Sequence, residues 1–573
     1  MKKQPGILSL LKPYRGMVLL LILFTLFSNG INLIIPKIIS GGIDAFSAGN
    51  FDYTTLIKNF GTAVVCIFIF SYLQSILQTF TSEKVARDLR KTLSDKISNQ
   101  SYAFIEQSNP SKLLTNLTAD VDSIKMFISQ AIVSIVSSVI IIIGASALLI
   151  SIDWKLALCV IAIIPIIGIT FYVVLKKVRA LFIQSRAVVD WLNKVINESI
   201  LGAAIIRVVN SQQSEYNKFL EANTKARDFG LQILKLFAGL IPVITFTSNM
   251  AGLTILALGG HFVINGSMTL GNFAAFNSYL AMLIFPILVI GFMSGVIAQA
   301  TASYQRISNV INSPDAPETG TITTPLKGNI DVKHVNVVYG QMPVLKDISF
   351  SVDAGSKIAI IGPTAAGKTQ LLYLLTGLIK QTSGVINFDG HAIDEYKQDA
   401  FHQQVGFVFQ DSIIFNMSVR ENIAFNEKVN AASMNKAIET AELKDFIQQL
   451  PQQLDTIVSE RGSSLSGGQK QRIMLARALA LNPKILLLDD FTSRVDNNTE
   501  QRILNNIEKN YPDLTLISVT QKITTVENYD QIILLMQGEI IASGKHDELL
   551  HTSPEYVQIL NSQKSTSNYE LQS

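Results

Sequence analysis

The stretch Gly362-Pro363-Thr364-Ala365-Ala366-Gly367-Lys368-Thr369 decides the fold of the second half of this 573-residue chain. It fits the pattern Gly-x-x-x-x-Gly-Lys-[Ser/Thr], and it stands between a strand-like run at 357–361 and an apolar helical segment. In that context backbone N–H groups cradle phosphates at a helix N-terminus, where the helix dipole favours anions. We expect Lys368 to pair with β- and γ-phosphates and the Thr369 hydroxyl to bind Mg²⁺.

An apolar run further along the chain, Ile485-Leu486-Leu487-Leu488-Asp489-Asp490, ends in two carboxylates. Any buried strand can end in aspartate, so this pattern is weak when it stands alone. Asp489 nevertheless has the chemistry expected for the Mg²⁺ shell of a phosphate-loop ATPase. Together with the loop at 362–369, the run predicts a nucleotide site that uses Mg²⁺.

Between these two motifs lies Leu465-Ser466-Gly467-Gly468-Gln469, which opens a helical run at 470–478. A Ser-Gly-Gly sequence at a helix start is a second anion site, made of backbone N–H groups and a hydroxyl. One nucleotide has no obvious use for both sites of one chain. We therefore expect this surface to face the phosphate loop of another chain.

The chain divides by composition into segments of different character. Residues 329–563 alternate strand-like and helical runs, which is typical of an α/β domain. Residues 311–328 are rich in Pro, Gly and Thr and predict a linker. We predict an N-terminal membrane domain at 1–310, and a frayed polar tail at 564–573.

Composition supports a membrane domain fused to a soluble one. The chain is 48% hydrophobic but only 16% charged, against about 25% charged residues in an ordinary soluble domain. This excludes a disordered chain and a wholly soluble enzyme. Residues 1–325 carry a formal net charge of +9 and residues 326–573 one of −6. Much of the positive charge lies between the apolar runs, so no nucleic-acid partner is expected.

Six apolar runs reach or approach the ~20 residues that a bilayer-crossing helix needs. They lie at about 17–35, 56–80, 131–152, 156–175, 237–263 and 273–299. Lys and Arg concentrate at 81–130 and 176–235, so both stretches and both termini are expected in the cytoplasm. We expect a multi-pass protein of the plasma membrane, in a bacterium the inner membrane. Cys66 and Cys159 lie within apolar runs, which excludes a disulfide framework.

These motifs resemble those of the ATP-binding cassette (ABC) transporters, and specifically exporter-type half-transporters of the multidrug and lipid exporter family. The resemblance covers essentially the whole chain, and Leu-Ser-Gly-Gly-Gln is a highly specific signature. It implies an all-α membrane domain with six transmembrane helices, followed by an α/β phosphate-loop cassette. It also implies that two such chains pair, with ATP held between one phosphate loop and the signature of the partner.

The resemblance further implies a role for each matching residue. Tyr339 is expected to stack on adenine, and Gln410 to sense Mg²⁺ and the attacking water. Contacts to ATP are implied for Tyr339, Gly362, Pro363, Thr364, Ala365, Ala366, Gly367, Lys368, Thr369 and Gln370. Mg²⁺ is implied at Thr369, Gln410 and Asp489, and contact with the ATP of the partner at Leu465, Ser466, Gly467, Gly468 and Gln469. Turns near 108–114 and 210–218 resemble coupling helices, 459–462 the loop that contacts them, and 493–496 the loop that crosses to the partner site.

Three positions depart from the family. Asp490 stands where the catalytic glutamate is expected, and its side chain is one methylene shorter. Gln521 replaces the switch histidine, and glutamine can donate a hydrogen bond but cannot take up a charge. Ala365 replaces a glycine of the phosphate loop, which we expect to restrict the backbone only a little.

The departures suggest a heterodimeric exporter in which this chain supplies the catalytically degenerate site. Its cofactors would be ATP and Mg²⁺, and its intact signature would serve a second half-transporter chain. The expected cargo is a small amphipathic or lipophilic molecule, because no charge cluster lies within the apolar runs. Two alternatives remain open: a homodimeric exporter with slow ATP hydrolysis, and an ATP-gated channel or regulatory subunit.

Overall fold

A computed structural model describes residues 6–315, 320–459 and 462–570. The chain divides into two compact units. The first consists of Met1–Asn99 and Ser108–Pro314, and the second of Gln100–Gln107 and Asp315–Ser573. A short piece of the N-terminal half therefore belongs to the C-terminal unit.

The described N-terminal half is helical, with long helices and short ones between them. They are α1 (Arg15–Ser47), α2 (Tyr53–Ser98), α3 (Tyr102–Ser108), α4 (Pro110–Thr115), α5 (Val121–Met126), α6 (Ile132–Ile152), α7 (Trp154–Ile161), α8 (Ile163–Leu201), α9 (Ala203–Val208), α10 (Gln212–Thr254), α11 (Gly260–Ile264) and α12 (Leu270–Ile311). Short π-helical turns at Asn116–Asp120, Phe127–Ala131 and Ile255–Gly259 join several of them into longer rods. Within the described residues, six helical stretches are long and apolar enough to cross a membrane, which confirms the six predicted spans.

Several spans continue well past the thickness of a bilayer. The 46 residues of α2 extend over about 70 Å at ~1.5 Å per residue, against a hydrocarbon core of about 30 Å. Polar side chains tie neighbouring rods together. Ser137 donates a hydrogen bond to Asn29 at 2.9 Å, and Arg306 forms two hydrogen bonds with the buried carboxylate of Asp120. These contacts join α1 to α6, and α12 to the helical stretch around Asp120.

The C-terminal half is an α/β domain, as predicted. Its elements are β1 (Ile330–Tyr339), β2 (Met342–Val352), β3 (Lys357–Ile361), α13 (Lys368–Leu375), β4 (Ser383–Phe388), β5 (His391–Ala392), α14 (Gln398–His402), β6 (Val405–Val408), α15 (Val419–Ile423), α16 (Ala431–Thr440), α17 (Lys444–Gln449), α18 (Gly467–Leu479), β7 (Ile485–Asp489), α19 (Asn497–Asn510), β8 (Thr515–Val519), β9 (Gln531–Met536), β10 (Glu539–Gly544), α20 (His546–Thr552) and α21 (Pro554–Glu570).

Two sheets organise this domain. One has four strands in the order β2-β1-β4-β5, and the other has six in the order β10-β9-β3-β8-β7-β6. The five strands from β9 to β6 are parallel, and the four from β9 to β7 are buried on both faces, whereas the edge strand β6 is half-buried. Alternation along β3 shows why: Ile358 and Ile360 join one apolar core, whereas Ala359 and Ile361 join the other.

Two boundaries differ from the sequence-based division. Residues 100–107 pack with the C-terminal unit, because α3 places the Tyr102 ring against its core. At the other end, α21 continues as far as Glu570, past residue 564 where the predicted tail begins. That this tail frays stays a prediction. Residues 316–319 of the predicted linker and residues 571–573 lie outside the described residues.

Candidate functional site

The candidate site lies where four neighbouring parallel strands end. The phosphate loop follows β3, Gln521 comes two residues after β8, Asp489 is the last residue of β7, and Gln410 comes two residues after β6. These strands are adjacent in the order β3-β8-β7-β6. Because parallel strands bring their carboxyl ends to one edge, segments far apart in sequence meet there.

The phosphate loop folds around its own lysine. Lys368 Nζ donates hydrogen bonds to the carbonyl oxygens of Gly362 and Pro363, each at 2.8 Å. Gly362 has a φ of +153°, and a Cβ there would stand 2.0 Å from the Leu535 carbonyl oxygen, so only glycine fits. Burial lowers the pKa of Lys368, an effect opposed by the charges of Asp490 and Asp489.

Ala365 adopts a left-handed backbone with a φ of +63°. For a residue with a Cβ this conformation costs roughly 1–2 kcal/mol. Our expectation of a slight backbone restriction therefore understates the effect of alanine at this position. Ala365 holds the loop in the geometry that a glycine would adopt without strain.

Asp489 is the buried acidic residue of the site. Its side chain is 1% exposed, and its Oδ1 accepts a hydrogen bond from the Thr369 hydroxyl at 3.2 Å. Its Oδ2 is buried and has no hydrogen-bond partner among the described residues. Burial raises the pKa of Asp489 to about 6, and the Thr369 hydrogen bond opposes that rise. A buried carboxylate oxygen without a partner, beside a hydroxyl, fits the oxygen ligands that Mg²⁺ prefers.

Asp490 and Gln521 border the same cleft. Asp490 has a left-handed φ of +46°, which aspartate tolerates better than most residues. Its backbone N–H donates to the Val519 carbonyl at 3.0 Å, which ties the end of β7 to the end of β8. Burial raises the pKa of the Asp490 carboxyl, and the charges of Lys368 and Lys522 oppose the rise.

The cleft has a volume of about 310 Å³ and gathers most of the predicted nucleotide contacts. Its lining residues are Val344, Thr364, Ala365, Ala366, Gly367, Lys368, Thr369, Gln370, Gln410, Asp489, Asp490, Val519 and Gln521. Sequence reasoning missed Val344 and Val519. The sequence could have indicated Val519, because it is the last residue of a strand that ends at the site. Val344 lies in the other sheet, and no sequence pattern links it to the cleft.

Tyr339, at the end of β1, is linked to the cleft through a neighbour. It does not line the cleft, but its hydroxyl donates to Gln370 Oε1 at 2.8 Å. Near it, the ring of Tyr102 meets that of Tyr373 edge to face, with centroids 5.8 Å apart. Residues 100–107, just before the turn near 108–114, belong to the cassette unit. That the turn near 108–114 acts as a coupling helix stays a prediction.

The signature residues lie apart from this cleft, because none of the described lining residues falls in 465–469. Ser466 and Gln469 cap α18 reciprocally: Ser466 N–H donates to Gln469 Oε1 at 2.8 Å, and Gln469 N–H donates to Ser466 Oγ at 3.3 Å. A Cβ on Gly468 would stand 2.8 Å from the Arg494 carbonyl oxygen, so the helix start packs closely on the 493–496 segment. Glu460 and Arg461 of the predicted exporter loop lie outside the described residues.

Comparison with known families matches both halves of the chain. Residues 18–287 match the ABC transporter transmembrane region, and residues 345–493 match the ABC transporter family model.

Individual relatives match over nearly the whole chain. An uncharacterised ABC transporter ATP-binding protein of Bacillus subtilis, YfiB, is 33% identical over 97% of this chain and 98% of its own. The multidrug resistance-like ATP-binding protein MdlA of Buchnera aphidicola is 30% identical over 98% of this chain and 97% of its own. An ATP-dependent lipid A-core flippase of Syntrophus aciditrophicus is 30% identical over 88% of this chain and 85% of its own.

The fold has a solved counterpart. The structure of a bacterial Atm1-family ABC exporter with ATP bound matches with a TM-score of 0.76 and 25% identity, over 96% of this chain and 98% of that one. The motifs, the cleft that they line, and these likenesses agree with one another. The chain belongs to the ABC transporter family, as an exporter-type half-transporter with one transmembrane region and one ATP-binding cassette.

Proposed function

We propose that this chain is the degenerate-site half of a heterodimeric ATP-driven exporter. The observation that carries the proposal is the composition of one cleft. Lys368, Thr369 and Asp489 are retained there, while Asp490 and Gln521 occupy the places of the catalytic glutamate and the switch histidine. The chain thus keeps the groups that bind a nucleotide and lacks the two that speed its hydrolysis.

Binding follows from the retained groups. The Lys368 ammonium, which bonds the Gly362 and Pro363 carbonyls in this structure, would pair with β- and γ-phosphates when ATP binds. The loop N–H groups at the start of α13 favour the same anion. Thr369, Asp489 and Gln410 would hold Mg²⁺, which neutralises charge on the phosphate oxygens when it is bound. Tyr339, fixed through Gln370, would offer its ring to adenine.

Slow hydrolysis follows from the replaced groups. A general base must come within hydrogen-bond reach of the water that it activates, and this contribution is worth about 10²–10⁴ in rate. The Asp490 carboxylate stands one methylene further back than a glutamate would. Gln521 can donate a hydrogen bond to a γ-phosphate, but it cannot acquire the charge of an imidazolium.

The signature supports a division of labour between two chains. Ser466 and the N-terminus of α18 are intact but lie outside the cleft of their own chain. A partner that brings its own phosphate loop, glutamate and histidine would form a competent site with them. ATP binding would then close the two cassettes, and hydrolysis in the competent site would reset them.

The membrane half supplies the path for cargo. With the Lys- and Arg-rich extensions in the cytoplasm, both termini lie inside and the protein sits in the bacterial inner membrane. Asn249 and Asn277 are exposed on α10 and α12. Because polar groups seldom face lipid, these two side chains would line the path for cargo. The few polar groups and the multidrug and lipid flippase relatives support an amphipathic or lipophilic cargo.

ATP hydrolysis by the purified full-length chain in lipid vesicles tests the proposal. We expect slow hydrolysis by the chain alone, with Asp490→Asn changing the rate less than threefold. Asp489→Asn, a matched aspartate-to-asparagine change in the same cleft, should remove the Mg²⁺-dependent part of ATP binding. Hydrolysis at about 1–10 s⁻¹ by the chain alone, abolished by Asp490→Asn, would identify a competent homodimer and contradict the proposal.

A further inference from the structure

The side chain of Gln563, on the C-terminal helix α21, forms two hydrogen bonds with the backbone of the segment that carries Gln521. Gln563 Nε2 donates a hydrogen bond to the Gln521 carbonyl oxygen, and Gln563 Oε1 accepts one from the Ile523 N–H at 3.0 Å. One primary amide thus pairs with the backbone on both sides of Lys522. The two contacts join positions 42 and 40 residues apart in sequence.

The helix that presents this amide is fixed to the domain core. Tyr556 is 0% exposed and Leu560 is 3% exposed, and both belong to the same apolar core as Ile523. Gln563 follows Leu560 by three residues, which places both side chains on one face of α21. The amide is therefore held by a packed helix, and its position relative to the Gln521 segment is set by the core.

A second contact holds the same segment from the other side. Lys522 Nζ lies 3.1 Å from Asn497 Oδ1 and 3.7 Å from Glu500 Oε2. Glu500 is 1% exposed, and it lies in the first turn of α19, directly after the predicted crossing loop. The Lys522 side chain is thus tied to α19, while the backbone on either side of it is tied to α21.

We propose that Gln563 is a positioning residue, which fixes the backbone at Gln521 and so sets where that side chain stands in the nucleotide cleft. The C-terminal helix would then control the γ-phosphate side of the site without touching the nucleotide. The inference rests on the proposed function in one respect, namely that Gln521 faces bound ATP. Loss of the two hydrogen bonds should loosen this segment and leave the phosphate-binding loop unchanged.

Hydrogen exchange measures the proposed contact directly and does not depend on hydrolysis. In the full-length protein, Gln563→Met keeps the length of the side chain but removes both hydrogen bonds. We expect amides at 521–524 to exchange about tenfold faster in Gln563→Met and in Gln563→Ala. Gln558→Ala, at an exposed position on the same helix, should leave them unchanged. Exchange of the Ile523 amide at the wild-type rate in Gln563→Met would overturn the proposal.

Activity tests the consequence in a chain with restored catalytic groups. In an Asp490→Glu/Gln521→His background, Gln563→Met should lower kcat about tenfold, because small displacements of catalytic groups are costly. The KM for ATP should stay within twofold, and Gln558→Ala should change neither value. An unchanged kcat would overturn the positioning role. If the background itself gains no activity, the degenerate-site proposal fails, and the exchange rates alone decide whether Gln563 holds the segment.

Discussion

The Thr369 hydroxyl donates a hydrogen bond to Asp489 Oδ1 at 3.2 Å and so joins the phosphate loop to the end of β7, 120 residues further on. The other carboxylate oxygen of Asp489 is buried without a hydrogen-bond partner among the described residues. The site therefore holds a desolvated carboxylate whose negative charge a bound cation would neutralise. We therefore expect the stability of the cassette to depend on pH and on Mg²⁺.

Asp489→Asn should raise the unfolding temperature of the nucleotide-free protein at pH 7.5. Burial raises the pKa of Asp489 from 3.8 to about 6 in the folded protein. The folded state therefore loses stability as pH rises from about 4 to about 6, by at most about 3 kcal/mol. The asparagine variant should lack this part of the pH dependence, as thermal unfolding at several pH values would show.

A surface aspartate gives the matched control for this pH effect. Asp353 is exposed and does not line the cleft, so Asp353→Asn should change the unfolding temperature at pH 7.5 little. Mg²⁺ added with ATP should stabilise the wild type further, and chelation with EDTA should reverse that gain. Equal stabilisation of Asp489→Asn by Mg²⁺·ATP would show that Asp489 is not a metal ligand.

Ala365→Gly should stabilise the protein, although most changes in a phosphate loop do not. With a Cβ, the left-handed φ of +63° at Ala365 destabilises the folded state by roughly 1–2 kcal/mol. Glycine removes this strain, but its greater freedom in the unfolded chain offsets about half of the gain. The expected net gain is about 0.5–1 kcal/mol in thermal unfolding. Ala366→Gly is the matched control: Ala366 is 2% exposed, so removing its methyl group should destabilise. Destabilisation by both variants would contradict the strain at Ala365.

The phosphate loop and the strand that ends in Asp489 were predictable because each is a local pattern. A strand, a glycine-containing turn and a helix start follow one another within 20 residues, and the strand ends are readable from apolar runs. That Gln410, Asp489 and Gln521 border one cleft was implied by the family resemblance. The structure explains it by the adjacency of β6, β7 and β8.

Tyr339→Ala should weaken ATP binding about tenfold, since stacking of a base on an aromatic ring is worth about 1–3 kcal/mol. Tyr339→Phe keeps the ring but removes the hydrogen bond to Gln370, so its ATP affinity should stay within threefold of the wild type. Inorganic triphosphate provides the control ligand, because it has no base. A loss of triphosphate affinity in Tyr339→Ala as large as the loss for ATP would show that the ring does not act on adenine.

Other features had no local signal in the sequence. Gln563 is one of several glutamines in a polar stretch, and only packing of α21 on the core brings it to the Gln521 segment. Residues 100–107 lie within the predicted membrane domain at 1–310, yet the Tyr102 ring packs against Tyr373 of the cassette unit. The strain at Ala365 depends on a backbone angle that composition does not reveal. Each of these features depends on a contact between distant segments or on a backbone conformation, neither of which a local sequence pattern indicates.

The most direct test of the degenerate site is the ATP turnover of the Asp490→Glu/Gln521→His variant beside the wild-type chain, both purified alone and reconstituted in lipid vesicles. The two cleft positions then carry the glutamate and the histidine that the family places there. We predict that kcat rises at least tenfold over the wild type, because a general base within reach contributes about 10²–10⁴ in rate. A double variant that hydrolyses ATP no faster than the wild-type chain would contradict the account.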